Sequence, residues 1–156
     1  MSKSNSISAF LWFNEDPKEV AAHYKRIFKS EYEGLGMQGG KGDSPVTAME
    51  FQLAGNRMIA FRGNGQFQFT PAISFMVECK DQKAIDKYWD RFLGEGGKPG
   101  QCGWLTDKYG VSWQIVPKNL PKLLRHKTED GTKFLMDVFL KMSKIETKML
   151  TYKASE

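Results

Sequence analysis

The sequence repeats itself at an offset of 65 residues (81 minus 16), and this limits the folds open to it. Asp16 falls on Asp81, Lys18 on Lys83 and Val20 on Ile85. Tyr24 falls on Trp89, Arg26 on Arg91, Ile27 on Phe92 and Phe28 on Leu93, while Phe10 and Leu11 fall on Phe75 and Met76. Charged, aromatic and apolar positions stay in step without a gap from Ala9 to Phe28. Such self-similarity marks a supersecondary unit used twice.

Each copy opens with a short apolar, aromatic run, Ile7–Phe13 and Ala72–Cys79, as buried strands do. A helix follows each run. Asp16-Pro17-Lys18-Glu19 combines a capping carboxylate, a proline suited to the first turn and a returning Glu. Val20, Tyr24, Ile27 and Phe28 then share one helical face. Asp81 opens the second helix, Ala84, Ile85, Tyr88, Trp89 and Phe92 form its apolar stripe, and Gly94, Gly96 and Gly97 end it. Val46–Leu53 alternates, with Met49, Phe51 and Leu53 on one face and Glu50 and Gln52 on the other. Gly55-Asn56 turns the chain into Arg57–Arg62. In the second copy Gly100–Leu105 and Val111–Val116 flank Asp107-Lys108-Tyr109-Gly110.

The expectation is an α+β fold of two tandem βαβββ modules in a single domain, 1–156. Module one spans about 7–62, a linker 63–71, module two about 72–117 and a helical appendage 118–156. In the appendage, Leu120–His126 reads as a short helix. Gly131-Thr132 opens another, with Phe134, Leu135, Val138, Phe139 and Met142 as its apolar face. Ser143-Lys144-Ile145-Glu146 reads as a capping box that starts a last helix.

The net charge of +5 sits mostly in this appendage, where nine Lys/Arg face five Asp/Glu after residue 116. Mixed signs along helices indicate solvated faces, and no nucleic-acid-reading motif accompanies them. Cys79 and Cys102 form no CxxC, and His23 and His126 are the only histidines, too few for a Cys/His zinc site. Two reduced thiols fit a cytoplasmic protein. The first residues carry no apolar signal-peptide core, and no apolar run reaches the roughly 18 residues of a membrane span.

The strand ISAFLWF, the helix end AAHYKRIF, the strand AISFMVEC and above all GQCGWL (Gly100–Leu105) followed by DKYGVSWQIVP (Asp107–Pro117) resemble PhnB-like proteins of the glyoxalase/bleomycin-resistance/dioxygenase (vicinal oxygen chelate) superfamily. The likeness covers roughly Ile7 to Leu124. It implies modules curled into a half-open barrel around a cavity, with outer helices, and commonly a homodimer. Some PhnB-like proteins are named demethylubiquinone methyltransferases, but the sequence has no glycine-rich loop for a methyl-donor nucleotide.

Glyoxalase-type relatives hold a divalent metal through His, Glu or Gln. Their positions carry over to Ala9, to Ile59 or Ala60, to Ser74 and to Gln114. This set lacks strong ligands, so the usual centre is not expected; a divalent ion on Glu50 or Glu78 is the alternative. If Ser74 and Gln114 face the cavity, period two adds Leu11, Met76, Glu78 and Ser112. Glu50 and Gln52 join as a polar strand face, and Trp104 as a neighbour of glycines that let a ligand approach. Phe10, Trp12 and Trp113 are then expected beneath the helices, Arg62 at a strand-end surface, His23 partly exposed and His126 at a helix end. Three readings follow: a metal-independent binder of a small, partly aromatic molecule, a metal-dependent lyase, isomerase or dioxygenase, or a structural dimer. No catalytic residue is assigned.

Overall fold

The computed structural model describes residues 6–30, 34, 36–38 and 46–152. Two compact units, Met1–Gln68 and Phe69–Glu156, divide inside the expected linker. Unit one runs β1 (Ala9–Phe13), α1 (Pro17–Phe28), β2 (Gly36–Gln38), β3 (Val46–Leu53) and β4 (Asn56–Arg62). Unit two repeats this order as β5 (Ser74–Cys79), α2 (Gln82–Gly94), β6 (Lys98–Pro99), β7 (Trp104–Thr106) and β8 (Ser112–Pro117). The fold is α+β, with two four-stranded mixed sheets of orders β1-β4-β3-β2 and β5-β8-β7-β6. In each, the first strand lies parallel to the last and the other pairs are antiparallel. β2 and β6 are three and two residues long, too short for the alternation that reveals a strand.

Local chemistry explains the helix positions. Asp16 accepts the Lys18 N–H and Asp81 accepts the Ala84 N–H, each at 2.8 Å, so both helices start at a capping carboxylate. Val20, Tyr24 and Ile27 are buried on one face of α1, where the Tyr24 ring stacks on Phe51 of β3. Ile85, Trp89 and Phe92 do the same for α2, and Phe92 meets Trp113 of β8. Each sheet is therefore covered by its helix on one face. His23 is fully buried beside Tyr24, not partly exposed as expected; it follows the apolar stripe inward at i+3 from Val20.

The tail of unit two holds α3 (Leu120–Leu123), α4 (Glu129–Lys141) and a 3-10 turn (Thr147–Met149). Leu135, Met142, Ile145 and Leu150 close over Val116 to make a second small core. Three sequence expectations change here. α4 starts earlier than Gly131, because the Thr128 hydroxyl accepts the Gly131 N–H and caps the helix. His126 does not end a helix; it sits in the turn before α4, its N–H donating to Thr132 and its ring edge-on to Tyr152. Ser143 does not cap a helix. Its hydroxyl donates to the Gly100 carbonyl (2.6 Å), so the segment runs as a strap and only a 3-10 turn follows.

That strap is stitched along both sides. Cys102 and Gly103 N–H groups donate to the Met142 and Ser143 carbonyls, each at 2.7 Å. Gln82 of α2 donates to the Ile145 carbonyl and accepts from the Thr147 N–H, each at 2.9 Å. Lys144 pairs with Asp86 at 2.9 Å. This lysine, with Gln82 second, holds the Asp86 carboxyl below its usual value, and Asp86 raises Lys144 in return. The pair supports folding between the ordinary Asp and Lys ranges; that support is lost as acid protonates Asp86 and, at the alkaline end, as Lys144 loses its proton.

Candidate functional site: the helix-free sheet faces

Which side chains lie on the face without a helix follows from strand register. Paired residues share a face. In unit two, Phe75 and Leu105 flank Trp113 on the α2 side, where Trp113 meets Phe92. The other face therefore carries Ser74 opposite Ser112, Met76 opposite Gln114, Glu78 opposite Val116, and Trp104 and Thr106 on β7, and the tail core covers it only at Val116. Gln114 Nε2 donates to Ser74 Oγ at 2.8 Å. Ser74, Met76, Trp104, Ser112 and Gln114 thus share one helix-free face, and Trp113 lies under α2.

Unit one has the opposite parity on its first strand. Phe13 of β1 meets Tyr24 of α1, so Phe13, Leu11 and Ala9 lie on the helix side. Phe10 and Trp12 point away from α1, and both touch Phe61 of β4. This corrects the expectation that they pack beneath the helix, and it separates Leu11 from the other candidate residues. The cause is one residue of loop. The Gly63 N–H bonds the Phe13 carbonyl as the Lys118 N–H bonds the Cys79 carbonyl, so Phe13 matches Cys79 at an offset of 66 (79 minus 13). The helix caps still match at 65. Unit one has Asn14 and Glu15 between strand and cap where unit two has only Lys80. A one-residue slip turns every side chain of a strand to its other face.

Glu50 and Gln52 do lie on the helix-free face, opposite Ile59 and Arg57. Arg57 was not singled out from sequence. It pairs with Glu50 (2.7 Å) and donates to Ser8 Oγ (3.2 Å), which makes it the cation of this face. The two-residue hairpin Ala54-Gly55, both residues at positive φ, carried the signal, because such a turn fixes Arg57 opposite Gln52. Arg62 faces the helix side and pairs with Asp16, joining β4 to the N-terminus of α1.

The same register settles the metal positions that the resemblance implies. Gln114 pairs with Met76 as Ile59 pairs with Phe10, so Ile59, not Ala60, matches Gln114. Ser8, not Ala9, matches Ser74. Two hydroxyls, one amide and a hydrocarbon do not fit a zinc, nickel or iron centre, which needs imidazole, thiolate or carboxylate. Among the described residues no group of three or more His, Cys, Asp or Glu is placed to hold a metal ion.

The glycines beside Trp104 serve the strap rather than an approaching ligand. A Cβ on Gly103 would meet Ile115 O at 2.7 Å and Ile145 Cδ1 at 2.8 Å. Asp107 is buried and structural. Its Oδ1 accepts the Tyr109 and Val111 N–H groups and its Oδ2 accepts Trp113 Nε1 at 2.9 Å, which closes the β7–β8 turn. Cys102 lies against the Phe139 and Leu140 carbonyls of α4. Burial, and secondarily Asp81, pushes the Cys79 thiol up to about 11. At pH 8 Cys79 should therefore resist iodoacetamide until the protein unfolds, which mass spectrometry of the alkylated chain reads directly. From pH 9 to 11 the folded thiol keeps a proton that the unfolded one loses, so stability should fall by about 3 kcal/mol at most across that window.

Comparison with known proteins agrees with this architecture. The chain matches the family described as 3-demethylubiquinone-9 3-methyltransferase over residues 5–116. The PhnB protein of Bacillus cereus is similar at 28% identity and TM-score 0.60, over 72% of this chain and 99% of that one. The fosfomycin resistance protein FosX of Listeria monocytogenes shares the fold at 19% identity and TM-score 0.56, over 81% and 100%. A variant of that FosX, complexed with Mn(II) and 1S,2S-dihydroxypropylphosphonic acid, matches at 20% identity and TM-score 0.51, over 72% and 90%. No curated protein matches. No helix among the described residues is long and apolar enough to cross a membrane. The chain belongs to the 3-demethylubiquinone-9 3-methyltransferase family, the PhnB-like branch of the vicinal oxygen chelate superfamily.

Proposed function

We propose that this protein binds a small molecule on the helix-free faces of its sheets, without the metal centre of its glyoxalase-type relatives. The observation that carries this reading is the face formed by Ser74, Trp104, Ser112 and Gln114. It offers the half-buried Ser74 hydroxyl, Gln114 amide and Trp104 indole on paired strands, with Ser112 itself buried, a rigid scaffold of mixed polarity such as small-molecule sites use. The FosX complex named above holds Mn(II) and a phosphonic acid. The matching positions Ser8, Ile59, Ser74 and Gln114 bring no imidazole, thiolate or carboxylate, which supports placing recognition in hydrogen bonds and ring contacts. It assigns no chemical step and does not rest on the methyltransferase name of the family.

A melting-temperature screen with metabolites and aromatic compounds, run with and without EDTA, tests this. A ligand at about 100 times its Kd adds about 2.7 kcal/mol to the folded state, a shift of several degrees. The expected result is a stabilising compound whose effect survives EDTA and is lost in Gln114→Ala. Stabilisation abolished by EDTA, with one zinc, nickel or iron per chain by elemental analysis, would favour a metal-dependent enzyme and overturn the reading.

A further inference from the structure

A second concavity involves no strand at all. Pro121, Lys122, Arg125, His126 and Lys127 line a pocket of about 440 Å³ in the connection from α3 to α4. Lys122, Arg125 and Lys127 are exposed, and none has an ion-pair partner among the described residues. Like charges gathered at one hollow repel one another, so their grouping does not help the chain fold. Glu129 and Asp130 follow in sequence but line no part of the pocket.

The imidazole among these cations is held in one orientation. The His126 N–H donates to Thr132 Oγ1 at 3.0 Å, and the ring lies edge-on to Tyr152. A Cβ on Gly131 would collide with Nδ1, so that glycine lets the ring sit against the first turn of α4. Nδ1 accepts the Thr128 N–H at 3.2 Å, and the Thr128 hydroxyl lies 2.9 Å from it. A ring nitrogen that accepts a backbone N–H carries no proton of its own, so neutral His126 holds its proton on Nε2. That donor has no acceptor among the described residues.

We infer that this pocket binds the phosphate group of a small molecule, with His126 Nε2–H as the fixed donor and Lys122, Arg125 and Lys127 as the neutralising charge. The inference is independent of what the sheet faces bind. A phosphate dianion matches three cations and a neutral N–H donor better than a single carboxylate does, and the Arg125 guanidinium can offer it two parallel bonds. A nucleic-acid strand fits less well. Such a strand engages cations strung along successive phosphates, whereas these converge on one hollow, and Glu129 and Asp130 end the basic run.

The test follows the imidazole nitrogen resonances of the full chain at about pH 8, where an ordinary imidazole is neutral. Inorganic phosphate, acetate or a short oligothymidylate is added at a constant ionic strength of about 0.15 M. His23 is buried in α1 and serves as the silent control. The expected result is a proton on Nε2 of His126 and a saturable shift there with phosphate but not with acetate. Lys122→Ala and Arg125→Ala should each bind phosphate several-fold more weakly without lowering the melting temperature, since neither side chain has a partner to lose. A proton on Nδ1, an equal response to acetate, no saturation by phosphate, or unchanged affinity in both variants would each overturn the inference. Oligothymidylate binding more tightly than phosphate, at equal concentration of phosphate groups, would make the patch a nucleic-acid surface and overturn the small-molecule assignment.

Discussion

Asp107→Ala should lower the unfolding free energy by about 3–5 kcal/mol, because three buried or half-buried donors lose their acceptor together. The Tyr109 and Val111 N–H groups and Trp113 Nε1 all converge on this carboxylate. Leaving a buried donor unsatisfied costs about 1–3 kcal/mol. The losses add incompletely, because the turn relaxes and water reaches Tyr109, which is only half-buried. Urea denaturation followed by tryptophan fluorescence gives the number. Asp107→Asn keeps one acceptor oxygen for the turn amides but turns an NH2 toward the Trp113 indole, so it should fall between wild type and Ala. A loss under 1 kcal/mol in Asp107→Ala would mean that the β7–β8 turn is held by its backbone alone.

Gly103→Ala is the second large effect, expected at about 2–4 kcal/mol. Gly103 sits at φ +81, which costs an L-residue about 1–2 kcal/mol. Its new methyl would press on a strand carbonyl, Ile115 O, that cannot move without breaking β8, and on Ile145 of the strap. Overpacking of this kind adds about 1–3 kcal/mol. The distinguishing readout is local. Release of the strap exposes Leu150 and Ile145, so protease cleavage between Met142 and Leu150 should rise well before global unfolding. Ser143→Ala, which removes only the bond to the Gly100 carbonyl, should cost about 1 kcal/mol and leave the strap in place.

These two residues show why the motif most telling of the family carried little about its chemistry. Gly100–Leu105 and Asp107–Pro117 identify the fold because they build a turn, a strand and the seat of a strap. Helix starts at Asp16 and Asp81 were legible, since a cap is decided within four residues of sequence. The helix-free face of unit two was legible as well, since Ser74, Ser112 and Gln114 alternate with apolar neighbours. The first strand was not. Phe10, Leu11, Trp12 and Phe13 are apolar on both faces, so nothing in them states which side meets α1. One extra loop residue then reversed the assignment without disturbing the helix alignment. The strap was hidden because a capping-box pattern reads the same whether its serine meets its own helix or a carbonyl 43 residues away.

The proposed ligand surface is the sheet face that the helix of each unit leaves uncovered. The direct measurement is a crystal structure of the protein with a compound that raises its melting temperature. The predicted result is the compound against Ser74, Trp104, Ser112 and Gln114, with no metal ion bridging it to the protein. A compound seated instead against Lys18, Ala21 and Lys25 of α1, in the pocket of about 270 Å³ that also reaches Met49, Glu50 and Gln52 of β3, would contradict it.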